Sequence, residues 1–336
     1  MKLLILTQKV DSSDAILGFM LGWITELAKR CEKVTVVCLE KGVFSSPLNV
    51  KVLSLGKETG QAKIKYLINF YKYIWQERQN YDKVFVHMNP EYVVLGGPLW
   101  KILGKKIALW YTHKNVDAKL KIAEKLVDII FTASTKSFRL KSKKINVMGH
   151  GIDIERFVPA SEPIKEKIIL TVDRISPTKN QLEIIKLFAA IKERVDACQL
   201  YIVGAPAYLA DEDYFNRIKE YIKDHDLSGQ VKLLGAVPNK DTPAIYQQAK
   251  VFISFSATGS LDKTVLEAMA CNLPVVTTNE AFKNILTVEN YSLNFEDAEQ
   301  KVISFLEQDN KFNYREIVVR DHSLKNLIAS IIKELS

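Results

Sequence analysis

Cysteine is scarce. Four residues in 336 (Cys31, Cys38, Cys198 and Cys271) lie far apart, with no Cys-x-x-Cys pair and no histidine at metal-ligand spacing from any of them. A disulfide scaffold and a structural zinc site are therefore not expected, and buried free thiols in a reducing compartment are. Long apolar runs are also missing. The longest, 15–25 and 92–100, fall short of the roughly 20 residues that cross a hydrocarbon core, and the second is interrupted by Gly96-Gly97-Pro98. The amino terminus has a short apolar run, Leu3 to Leu6, with no small-residue cleavage site after it. It reads as a first buried strand, so a cytoplasmic protein is expected. No short-period repeat or low-complexity segment occurs. What remains, 47% hydrophobic and 26% charged residues, is the ordinary globular balance and excludes disordered and collagen-like chains. At a loose prior of about 150 residues per domain, the length suggests two domains.

The net charge of +8 is unevenly spread. Residues 1–158 carry 26 Lys and Arg against 14 Asp and Glu, leaving 21 against 25 of the totals 47 and 39 for the rest, so the first half is +12 and the second −4. That asymmetry points to an anionic surface met by the first half, either nucleic acid or acidic lipid headgroups, and scattered solvated lysines account for it equally well. No nucleic-acid-binding motif accompanies it.

Short apolar runs alternate with amphipathic stretches almost from end to end. Leu3–Leu6, Val34–Cys38, Lys83–Val86, Ile107–Tyr111 and Ile129–Thr132 read as strands, with helices predicted over Asp14–Arg30, Lys63–Gln79 and Val116–Val127. After a linker containing Pro159 and Pro163 the rhythm restarts, with strands at Ile168–Val172, Gln199–Val203, Val231–Leu234, Val251–Phe255 and Pro274–Thr277. Helices are predicted between them at Asn180–Arg194, Asp213–Asp224 and Lys263–Cys271. This is the β-α-β pattern of parallel sheets covered by helices. We place one α/β domain at 1–158, a second at 159–315, and a terminal helical segment at 316–336 that crosses back to the first domain.

Ligands of open α/β sheets bind beyond the carboxyl ends of the strands. After Val172 comes Asp173-Arg174-Ile175-Ser176-Pro177-Thr178-Lys179-Asn180. Arg174 and Lys179 flank a turn that opens a helix, which sets two cations beside free backbone N–H groups and suits a diphosphate. Loop surface charges are the plainer reading. After Phe255, the small-residue loop Ser256-Ala257-Thr258-Gly259-Ser260-Leu261 leads through Asp262 into a helix bearing Lys263 and Glu267 at i, i+4. A solvated Lys-Glu pair is the plainer reading here, but Val265, Leu266, Ala268, Met269 and Ala270 make an unusually apolar setting for it.

These residues carry a resemblance. The stretch from Ile245 to Ser256, followed by Val265-Leu266-Glu267-Ala268-Met269-Ala270-Cys271-Asn272-Leu273-Pro274-Val275-Val276, resembles the donor-binding core of family 4 glycosyltransferases of the GT-B fold. Gly151 to Phe157, Tyr201 to Gly204 and Val231 to Pro238 agree in family order. The resemblance implies an α/β chain of two facing Rossmann-like domains with parallel sheets and a C-terminal helix packing back. A nucleotide-sugar donor would be held mainly by the second domain, and a glycan or lipid-linked acceptor mainly by the first.

By the same resemblance Arg174 and Lys179 neutralise the donor diphosphate, Glu267 holds the ribose, and His113 lines the reaction centre. Thr258, Gly259, Ser260, Asp262 and Lys263 complete the donor side. Gly259 stands where the family has a second glutamate, and Asp262 and Lys263 are the replacement contacts for the sugar. The implied reaction is a hexosyl transfer with retention, serving surface polysaccharide or glycolipid synthesis, with side-chain cations in place of a metal and no cofactor beyond the nucleotide sugar. Loss of Arg174 or Lys179 is expected to lower kcat far more than it harms folding. A GT-B enzyme such as a nucleotide-sugar 2-epimerase and a non-catalytic nucleic-acid-binding or scaffold protein are the alternatives.

The basic first half has one further concentration. Lys63, Lys65, Lys72 and Trp75 belong to a predicted helix rich in aromatic residues, and Lys136, Arg139, Lys141, Lys143 and Lys144 follow later. Basic and aromatic character on one helix suits an acceptor side lying on an anionic membrane, so a peripheral location on its inner face is expected. A sheet-covering helix with a lysine-rich outer face is the plainer reading.

Overall fold

A computed structural model describes residues 1–308 and 312–336. The strands are β1 (Lys2–Val10), β2 (Lys33–Lys41), β3 (Val50–Ser54), β4 (Lys83–His87), β5 (Lys106–Trp110), β6 (Ile129–Thr132), β7 (Ile145–Val147), β8 (Ile168–Val172), β9 (Gln199–Val203), β10 (Val231–Gly235), β11 (Val251–Ser254) and β12 (Val275–Thr277). Between them run α1 (Met20–Ala28), α2 (Lys63–Gln76), α3 (Pro90–Ile102), α4 (Ala118–Leu126), α5 (Gln181–Ile191), α6 (Glu212–Asp224), α7 (Thr242–Tyr246) and α8 (Lys263–Ala270). After the last strand come α9 (Phe295–Glu307), α10 (Tyr314–Asp321) and α11 (Leu324–Leu335). Among the described residues, no helix is long and apolar enough to cross a membrane.

The chain divides into two α/β units, Met1–Gly151 with Leu324–Ser336, and Ile152–Ser323. The sequence had placed the first boundary between residues 158 and 159 and the start of the terminal segment at 316. The first unit holds a seven-stranded sheet ordered β3-β2-β1-β4-β5-β6-β7, and the second a five-stranded sheet ordered β10-β9-β8-β11-β12. Every pairing is parallel. The near-continuous apolar runs of β1, β8 and β11 follow from this, because a central parallel strand is covered on both faces. Each sheet starts in its interior and winds outward first one way and then the other. The order reverses between β1 and β4 and again between β8 and β11, which opens a crevice at the carboxyl ends of those strands.

Some elements depart from the pattern read in the sequence, each for a local reason. The helix predicted from Asp14 begins only at Met20. The Asp14 carboxylate accepts from the backbone N–H of Ile16 at 2.9 Å and of Leu17 at 2.7 Å, holding a separate turn. The interrupted run at 92–100 is a helix, α3, that keeps its glycines for packing. A Cβ on Gly96 would stand 2.5 Å from the Trp100 ring, and one on Gly97 would stand 3.0 Å from Leu126 of α4. The tail is two helices broken at His322 and Ser323, with Leu324 of α11 reaching Gly22 of α1 within the first unit.

Candidate active site

The loops that follow β8 and β11 meet at the switch point of the second sheet. Three bonds tie them together: the Ala257 N–H donates to the Thr178 carbonyl at 2.9 Å, Asn180 Nδ2 to the Phe255 carbonyl at 2.8 Å, and Lys179 Nζ to Asp262 Oδ1 at 2.9 Å. Residues 83 positions apart in the sequence thus share one cluster. Of the residues picked out by sequence, Arg174, Lys179, Thr258, Gly259, Ser260, Asp262, Lys263 and Glu267 all lie on these two loops or on the first turns of α8.

Lys179 is mostly buried in a short 3-10 turn before α5, between two carboxylates: Asp173 Oδ2 at 2.5 Å and Asp262 Oδ1 at 2.9 Å. Burial works against its charge, but Asp262 and Asp173 outweigh it and raise the ammonium pKa above the usual lysine value. For Asp173 burial dominates. With the added repulsion of Asp262 it overrides the attraction of Lys179 and pushes the carboxyl up to about 6. Asp262 is buried and bonded through both oxygens, Oδ1 also accepting from the Thr258 hydroxyl at 3.4 Å and Oδ2 from Asn279 Nδ2 at 2.6 Å. Asn279 Nδ2 also donates to the Ser260 carbonyl at 2.8 Å. Within the protein, then, Asp262 orients Lys179 and anchors the small-residue loop. Arg174 lies with its guanidinium 5.5 Å from the centre of the Tyr208 ring, and its carbonyl accepts from Gln181 Nε2 at 2.8 Å.

Glu267 is 2% exposed, and both of its oxygens are engaged. Oε1 accepts from Lys263 Nζ at 2.9 Å and Asn239 Nδ2 at 3.2 Å, and Oε2 from the Tyr246 hydroxyl at 3.1 Å. Burial first, and the carboxylate second, raise the Tyr246 phenol well above its ordinary pKa, so it remains a donor. Of about four lone-pair sites on a carboxylate, three are filled, which leaves acceptor capacity directed by a fixed frame. Asn239 is itself oriented by Arg156, which donates to its carbonyl at 2.7 Å and to its Oδ1 at 3.2 Å. Gly259 adopts φ +58, a left-handed conformation that a glutamate in its place would adopt only at a cost of about 1–2 kcal/mol.

Sequence reasoning missed Asp173, Tyr208, Asn239, Tyr246 and Asn279. Asn239 and Asp173 carried a usable signal, since each closely follows a strand at the carboxyl edge. Two Asp-x-Asp pairs, Asp211 with Asp213 and Asp224 with Asp226, bracket α6, and among the described residues no group of three or more His, Cys, Asp and Glu gathers as a metal site. His113 belongs to the first unit. It is exposed after β5, its ring edge-on to Tyr111, and its Nδ1 accepts from the Asn115 N–H at 3.1 Å. Lys63, Lys65, Lys72 and Trp75 are exposed on α2 of the same unit.

Gly204, after β9, closes the floor of the cluster. At φ +140, a Cβ there would stand 1.8 Å from the backbone oxygen of Asp173. Gly204→Ala is expected to cost about 2–4 kcal/mol in urea unfolding, because backbone and not a flexible side chain must move. An alanine variant with the wild-type midpoint would show that the strand ends are not closed there.

Residues 153–314, just under half the chain, match the family model described as glycosyl transferases group 1. The chain is 27% identical over 155 residues to mannosylfructose-phosphate synthase of Agrobacterium fabrum, covering 43% of this chain and 34% of that protein. It is 24% identical over 296 residues to the Escherichia coli UDP-Gal:alpha-D-GlcNAc-diphosphoundecaprenol alpha-1,3-galactosyltransferase, covering 77% and 74%. The matches to the Agrobacterium enzyme and to the alpha-monoglucosyldiacylglycerol synthase of Streptococcus pneumoniae span about a third and a quarter of those proteins. In fold, the chain is similar to Anabaena Alr3699/HepE in complex with UDP-glucose, with a TM-score of 0.77, 16% identity, and coverage of 100% and 99%. Sucrose-phosphate synthase of Thermosynechococcus elongatus gives 0.74 at 14% identity, covering 99% and 98%. The architecture is that of GT-B glycosyltransferases, as the sequence resemblance implied.

Proposed function

Because residues 153–314 match the family model described as glycosyl transferases group 1, we propose that the protein is a glycosyltransferase. In this reading it moves a hexose-type sugar, with retention, from a nucleotide-sugar donor to a glycan or lipid-linked acceptor of surface polysaccharide or glycolipid synthesis. The observation that carries the reading is the joining of the β8 and β11 loops, which sets the Lys179 cation, on the same loop as Arg174, beside the start of the helix bearing Lys263 and Glu267. Cleavage of the anomeric C–O bond builds negative charge on the departing diphosphate. Arg174, Lys179, Lys263 and the N–H groups opening α5 and α8 would stabilise that charge as it develops. Glu267, steadied by Asn239 and Tyr246, would accept from the ribose hydroxyls. His113 would act at the transfer step. No resident cofactor or metal enters this reading.

UDP-hexoses are the donors to test first, since Anabaena Alr3699/HepE was solved with UDP-glucose and the Escherichia coli relative is named for UDP-Gal. UDP-glucose or UDP-galactose is expected to raise the melting temperature by roughly 2 °C or more near saturation. A flat response across UDP, GDP, ADP and CMP sugars would remove the donor-site assignment, and sugar isomerisation without an acceptor would favour an epimerase. Asp173 adds a pH signature. As pH falls through about 6 this carboxyl takes up a proton, which makes the site more positive by one charge, whereas the diphosphate of a UDP-sugar does not titrate in that range. UDP-sugar affinity by calorimetry is therefore expected to be higher near about pH 5.5 than near about pH 7.5, and Asp173→Asn should flatten the profile.

A further inference from the structure

The helix α2 buries only part of its circumference. Phe70 and Ile74 are fully buried and Tyr66 and Tyr73 pack against the same core, which uses one face. The opposite face carries a second apolar stripe at helical spacing: Ile64 is 61% exposed, Ile68 55% and Trp75 51%, with Leu67 and Tyr71 between them. The Tyr71 hydroxyl donates to the Leu95 carbonyl of α3 at 3.1 Å. The stripe thereby runs on to the outer side of α3, where Leu95, Pro98 and Ile102 are exposed at matching spacing.

Charge borders this surface with one sign. Between residues 63 and 78 there are four cations, Lys63, Lys65, Lys72 and Arg78, and a single acid, Glu77. Glu77 is buried and held by Lys51 at 2.6 Å, so it does not face outward with the lysines. Arg78 lies 4.4 Å from the centre of the Trp75 ring, a cation over an aromatic face. In the second basic cluster of the unit, Lys144 donates to the Glu124 and Val127 carbonyls at 2.6 and 2.9 Å and closes the end of α4, while Lys136, Arg139, Lys141 and Lys143 are exposed.

We propose that the outer face of α2, with the adjoining side of α3, docks on an anionic lipid bilayer. Ile64, Ile68, Tyr71 and Trp75 would enter the boundary between headgroups and acyl chains, and Lys63, Lys65 and Lys72 would meet the phosphates. An aqueous partner would leave so wide an apolar stripe costly, whereas an interfacial helix needs an apolar face, a basic border and few acids. The proposal does not depend on catalysis and is read by binding alone.

The test is co-sedimentation of the full chain with vesicles of phosphatidylcholine, alone or with phosphatidylglycerol. Binding is expected only with the anionic lipid, weakening as salt shortens the screening length. Each of Lys63→Gln and Lys65→Gln should lower the partition coefficient about fivefold. Ile68→Ser with Trp75→Ser should abolish binding while leaving UDP-sugar binding unchanged and lowering the melting temperature by no more than about 3 °C, the share of the Arg78 contact over Trp75. Equal binding to neutral and anionic vesicles would overturn the proposal, as would wild-type binding by the double variant. A dimer in light scattering that the double variant dissociates, with no vesicle binding, would assign the face to a second copy instead.

Discussion

Arg174→Ala is expected to lower kcat for sugar transfer by about 10²- to 10³-fold while the protein still folds. The estimate is that for removing one preorganised donor aimed at charge that develops in the transition state, about 3–4 kcal/mol. What the native fold loses is small by comparison. The guanidinium lies over Tyr208, a contact worth about 0.5–1 kcal/mol at a half-exposed site, which corresponds to roughly 1–3 °C in melting temperature. The backbone around it is held independently, by the Arg174 N–H on Asp173 Oδ1 at 2.9 Å and by Gln181 on the Arg174 carbonyl, so the loop stays in place without the side chain. Steady-state transfer from a UDP-sugar, run beside a thermal melt, separates the two effects. Turnover within a few fold of wild type would mean that Arg174 does not face the leaving group, and the phosphate site would then have to be sought elsewhere on the carboxyl edge.

The sequence made the strands of both sheets legible, because a parallel strand covered on two faces is a run of apolar residues whatever its neighbours. Val50–Ser54 escaped for the converse reason. It is an edge strand with partly exposed residues, and its alternation of valine and lysine is too short to stand out. The cations and Glu267 were also legible, since strand ends and an i, i+4 pair are local features. The partners of those residues were not. Tyr246 and Asn239 come to Glu267 from 21 and 28 positions away, and Asp262 comes to Lys179 from 83, so only the folded switch point reveals them. The consequence concerns Asp262. Read along the chain it is a replacement contact for the sugar, and in the fold it also holds Lys179, Thr258 and Asn279, filling as many acceptor sites as Glu267 does. Similarly, the glycines of α3 look like helix breakers until Trp100 and Leu126 are seen to require them.

Lys179 and Arg174 look interchangeable in sequence as two phosphate cations, yet their removal should have different outcomes. Lys179→Ala takes the ammonium from between Asp173 and Asp262 and leaves their buried carboxyl groups without a cation, a loss of about 3–5 kcal/mol. The expectation from sequence, that turnover suffers more than folding, is therefore kept for Arg174 and replaced for Lys179. This variant should unfold at markedly lower denaturant and lose transfer as well. Adding Asp262→Asn neutralises one of the stranded charges while its carboxamide oxygen can still accept from Thr258. Lys179→Ala with Asp262→Asn is thus expected to regain more than half of the lost stability and none of the lost turnover. Two urea curves and one transfer assay decide the matter. Recovery of activity along with stability would make the lysine purely structural. A single variant as stable as wild type would show instead that solvent reaches the two carboxylates, and the tight cluster joining the β8 and β11 loops would not be what orients this site.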